Sequence, residues 1–95
     1  MCTMISKKVG VEGYAKGQAD WFAVRQAYVS YDHPFHAPVE HALNIDLVNE
    51  ALGPGVRISV ELTPEAAREL VKTIQAVLAQ AEAGGFLEPA GQPAQ

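Results

Sequence analysis

All three histidines of the chain, His33, His36 and His41, fall within nine residues, and Asp32 and Glu40 each adjoin one of them. Neutral imidazole is the commonest nitrogen ligand for zinc, copper, iron and nickel. Three imidazoles with one position left open would suit a catalytic metal centre. The spacing H-x2-H-x4-H matches neither a zinc finger nor the helical H-E-x-x-H of metalloproteases, so the signal lies in the crowding. Pro34 and Pro38 stiffen the segment, and a stiff loop loses less entropy on seizing a ligand. His33, His36 and His41 are therefore candidate ligands to zinc, with copper or iron next. Asp32 and Glu40 are candidates for general base, fourth ligand or partner to an imidazole N–H. Cys2 is distant in sequence, but an N-terminal strand could bring its sulfur to the imidazoles, and a thiolate would favour zinc or copper. The plainer reading makes the histidines loop anchors bonded to backbone carbonyls, and Cys2 a small half-buried thiol.

The elements that must position these residues follow from periodicity. Met4 to Val11, with β-branched Ile5, Val9 and Val11, predicts an edge strand. Gly10, Gly13 and Gly17 predict a loop up to Asp20 and lack the G-x-G-x-x-G order of a phosphate cradle. Trp21 to Asp32 is the most strand-like stretch, with apolar residues on both faces. His41 to Asn49 alternates with His41, Leu43, Ile45 and Leu47 on one face. The Gly53-Pro54-Gly55 reversal then leads to Val56, Ile58, Val60 and Leu62, predicting an antiparallel hairpin.

Thr63-Pro64-Glu65 opens a helix: a capping hydroxyl, a proline that loses nothing at the first position, and an acid at the positive end of the dipole. Ala67, Leu70, Val71, Ile74, Val77, Leu78 and Ala81 form one apolar stripe suited to covering a sheet, and Gly84-Gly85 ends the helix. The expected fold is α+β, a small antiparallel sheet of about four strands packed by one C-terminal helix. Residues 1–87 should form a single domain and 88–95 a flexible polar tail. One helix covers one side of the sheet, so a homo-oligomer is expected to cover the other. Trp21, Tyr28, Tyr31 and Phe35 could wall a small-molecule pocket near the histidines, and Arg25 could pair with Asp46 or Glu61.

The 95 residues hold 7 basic and 11 acidic side chains, for a net charge of −4. That balance excludes a nucleic-acid backbone or an anionic membrane as the main partner. No apolar run approaches a membrane span, and Lys7 and Lys8 interrupt the only leader-like segment. A single cysteine suits a reducing compartment, so a cytoplasmic location is expected.

Several of these residues, Met1-Cys2-Thr3, Asp32-His33-Pro34 with His36, Pro38, Glu40 and His41, Asn44-Ile45-Asp46, Gly53-Pro54 and Val60-Glu61-Leu62, also recur together elsewhere. Over about residues 1–80 the chain resembles a family of small bacterial proteins known only as a domain of unknown function. The resemblance implies a cytoplasmic bacterial protein with site residues in the histidine segment and at Cys2, and no particular reaction. The leading expectation is a small metal-binding protein, hydrolytic with zinc or oxidative with a redox metal if it is an enzyme. The alternative is a non-catalytic oligomeric interaction module whose histidines are structural or pH-sensing.

Overall fold

The computed structural model of the chain describes residues 5–87, so Cys2 and the 88–95 tail lie outside the described residues. Four strands, β1 (Ile5–Lys16), β2 (Trp21–Asp32), β3 (Ala42–Val48) and β4 (Arg57–Leu62), precede one helix, α1 (Pro64–Ala83). The strands pair antiparallel in sequence order, which makes a meander with β1 and β4 at its edges. A sheet unit ends at Pro64 and a helix unit begins at Glu65.

The expected loop after Gly10 is instead strand as far as Lys16. The register of β1 against β2 slips by one residue between Gly10 and Gly13. A bulge absorbs the extra residue, so the glycines mark an irregularity inside a strand and not its end. Tertiary pairing with a long, β-prone neighbour overrides their weak local preference.

Register sorts the side chains into two unlike faces. Rows Tyr31–Leu43–Leu62, Val29–Ile45–Val60 and Ala27–Leu47–Ile58 run across β2, β3 and β4 on one face. Rows Ser30–Asn44–Glu61 and Tyr28–Asp46–Ser59 cross the same strands on the other. The side of β2 that begins with buried Phe22 and Val24 thus becomes polar from Gln26 onward. The similarity of the two β2 faces expected from the strand alone disappears once its neighbours are paired. Phe22, Val24, Ala27 and Ala42 are the buried apolar residues among those described.

Between β3 and β4 the chain reverses through a short 3-10 turn, Glu50–Leu52. Buried Asn49 organises it: the side-chain oxygen accepts from the Ala51 amide at 3.1 Å, and Nδ2 donates to the Ala23 carbonyl on β2 at 3.0 Å. Gly53 closes the turn at φ 98°, where a Cβ would be strained. The helix opens on Pro64 and Glu65 as expected. It ends in a Schellman motif, with the Phe86 amide on the Ala81 carbonyl at 2.9 Å, the Gly85 amide on the Glu82 carbonyl at 3.0 Å, and Gly85 at φ 77°.

Replacing Asn49 removes both of its bonds at once and orphans a turn amide and a strand carbonyl. Asn49→Ala should lower the unfolding free energy by about 1–3 kcal/mol in urea denaturation, with the far-ultraviolet spectrum kept.

Candidate functional site

The segment between β2 and β3 carries no regular structure, in keeping with two prolines in nine residues, and so its amides need partners from elsewhere. They find one carboxylate. Glu61, on the polar face of β4, accepts from the Phe35 amide at 2.6 Å and, through its other oxygen, from Ala37 at 2.8 Å and His36 at 3.0 Å. The Ala37 amide, followed by that of Phe35, holds the Glu61 carboxyl below its ordinary range; the His36 amide and charge add to this, and partial desolvation opposes it. The only role that sequence reasoning offered Glu61 was as a partner for Arg25. Arg25 is exposed, Glu61 is engaged by the loop, and Asp46 is engaged by Arg57 at 3.1 Å.

With the loop so anchored, two of the three histidines meet. The His33 and His41 rings stack with centroids 4.7 Å apart and planes 27° from parallel, and Tyr31 also stacks on His41 at 5.8 Å. His33 Nδ1 lies 2.9 Å from the Glu40 carbonyl. A carbonyl only accepts, so Nδ1 carries the proton and donates. The expected meeting of all three imidazoles reduces to these two, since His36 is held through its backbone amide on Glu61 and its side chain is exposed.

Asp32 accepts from the His33 amide at 2.7 Å, the turn-stabilising role of a carboxylate at a strand end. Glu40 contributes its carbonyl, and its side chain is exposed. Of the four expected pocket aromatics, Tyr31 and Phe35 sit at the segment. Tyr28 donates from its hydroxyl to Glu50 beneath Lys8, and Trp21 is exposed at the far end of β2. Among the described residues no three His, Cys, Asp or Glu side chains are grouped to hold a metal ion.

Beside the segment, the polar face of the sheet opens into a cleft of about 250 Å³. Ser30, Asn44 and Ser59 contribute to its lining from three adjacent strands, with His33 and Phe35 from the loop. The sequence marked Asn44 only by its place in the alternation of β3 and in the family resemblance, with no role attached.

No curated protein and no solved structure matches the chain. A family model does, over residues 1–87, and its description is a family of unknown function (DUF6295). No described helix is long and apolar enough to cross a membrane.

Because Glu61 is held ionised by three amides, the tether has a definite pH dependence. Its folded-state pKa is depressed, so its stabilisation is complete above the ordinary carboxylate range and is lost as pH falls through the depressed value. The amide resonances of Phe35, His36 and Ala37 should therefore move together in acid. In Glu61→Gln they should lose protection from hydrogen exchange at neutral pH, which two-dimensional NMR reads residue by residue.

Proposed function

The chain belongs to the family of unknown function DUF6295, which assigns it no chemistry, and from its surfaces we propose that it is a non-catalytic interaction module working as a homo-oligomer. The observation that carries this reading is the helix. Ala67, Leu70, Ile74, Val77 and Ala81 recur at alternating steps of three and four, the spacing of a helix–helix seam. Val71 and Leu78 widen the stripe. Leu70, Val71, Ile74, Val77 and Leu78 are 44–61% exposed, and no residue of the helix is buried.

An apolar stripe of this width marks a surface that calls for a partner. A second copy carries the same stripe and is the simplest complement to it. The apolar rows of the sheet, whose side chains are mostly half-buried, add further surface of the same kind. In this reading the histidine segment is structural, a cap on one end of the sheet held by Glu61.

Sedimentation equilibrium at micromolar concentration is expected to give a dimer or larger species. Ile74→Glu with Val77→Glu should shift its dissociation constant by at least about tenfold, the loss of roughly two buried aliphatic side chains. A wild type that sediments as a monomer throughout would end the reading.

A second reading, metal binding, draws support from His33 and His41. Their rings adjoin, and a ring N–H bonded to a backbone carbonyl is the orientation that metal-ligating histidines commonly use. Zinc is the metal best suited, with copper or iron next, and further donors would have to come from His36 or Cys2. Native mass spectrometry of the wild type, His33→Ala and Cys2→Ser in zinc should then show one ion per wild-type chain and a loss in each variant; no ion in the wild type dismisses this reading.

A further inference from the structure

The apolar stripe of α1 reads the same from either end, with Ile74 at its centre. Val71 and Val77 stand three residues to either side, Leu70 and Leu78 four, and Ala67 and Ala81 seven. At 3.6 residues per turn these positions cover about 120° of the helix surface, spread evenly to left and right of Ile74. The borders of the stripe differ from each other. One carries Arg68, Gln75 and Glu82, and the other the uncharged Ala66, Thr73 and Gln80. Arg68 and Glu82 are exposed and form no ion pair among the described residues, whereas Glu69 and Lys72, on the far side of the helix, pair with each other at 3.1 Å.

We propose that α1 packs antiparallel against α1 of a second copy, with a two-fold axis at Ile74. The pairing rests on the self-association proposed above and fixes its direction and register. A two-fold axis makes the contact isologous: where residue i meets j, j meets i. About this axis Ile74 meets its own copy, Val71 meets Val77, Leu70 meets Leu78 and Ala67 meets Ala81. A palindromic stripe therefore sets like against like along its whole length. The same axis keeps each border on its own side of the pair. Arg68 of one helix then lies within about 3 Å, measured along the helix axis, of Glu82 of the second copy, and the contact occurs twice. A parallel pair in register would instead set Arg68 beside Arg68 and Glu82 beside Glu82. Antiparallel packing also lays the positive end of each helix dipole beside the negative end of the other.

Sedimentation equilibrium of the full chain at low ionic strength, where exposed charges are least screened, tests the direction. Arg68→Glu and Glu82→Arg each turn two attractive pairs into two repulsive ones and should weaken association about fivefold or more. An equimolar mixture of the two variants should recover the wild-type constant, because opposite charges face each other again in the mixed pair. The double exchange, Arg68→Glu with Glu82→Arg, should recover it as well. Spin labels on Ala83→Cys in a Cys2→Ser chain give an independent distance, about 30 Å between copies in the antiparallel pair against about 10 Å, one interaxial spacing, in a parallel one. An associating wild type whose constant is unchanged in both single variants, a mixture that binds no better than either variant alone, or labels about 10 Å apart overturns the antiparallel pairing and leaves self-association standing. A wild type that stays monomeric ends both.

Discussion

One carboxylate organises the most distinctive part of this molecule. The connection from β2 to β3 contains Pro34 and Pro38 and cannot satisfy its own amides through regular structure. Glu61 accepts three of those amides from the neighbouring edge strand β4. A charged acceptor makes shorter and stronger bonds than a neutral one. The loop is therefore fixed to the sheet at Phe35 to Ala37, and the positions of the rings on either side follow from that. His33 and His41, at the two ends of the anchored segment, are brought face to face, and Tyr31 extends the stack onto β2. His36, in the middle, is committed through its backbone.

The sheet separates its work by face. Three apolar rows run across β2, β3 and β4 on one side, while hydroxyls, amides and carboxylates occupy the other. Pairing alone produces this division, because the side-chain period of two keeps each row on its face from one strand to the next. Arg57, Asp46 and Ser59 neutralise part of the polar face among themselves. Asp32 and Glu61 take their donors from loop amides, and the Asn44 amide oxygen is buried without a hydrogen-bond partner. The proposed self-association would draw on the helix stripe and the apolar rows.

Much of the architecture was legible in the residues. The alternation from His41 to Asn49, the Gly53-Pro54-Gly55 reversal and the alternation up to Leu62 correspond to β3, its turn and β4. Thr63-Pro64-Glu65 and Gly84-Gly85 bracket the helix because capping and termination depend on neighbours a few residues apart. The extension of β1 to Lys16 was not legible, since a glycine-containing strand persists only when a partner such as β2 supplies its ladder.

The candidate site divides along the same line. By itself the sequence determined that His33 and His36 lie on a stiff, irregular connection leading to a strand begun at His41, with carboxylates beside them, because proline geometry and residue order are local properties. Only the tertiary structure decided that His33 meets His41, that Glu61 holds the loop from more than twenty residues away, and that Asn44 keeps a buried acceptor without a donor. Those outcomes depend on strand register and on contacts between distant segments, and no period or spacing along a single chain encodes them.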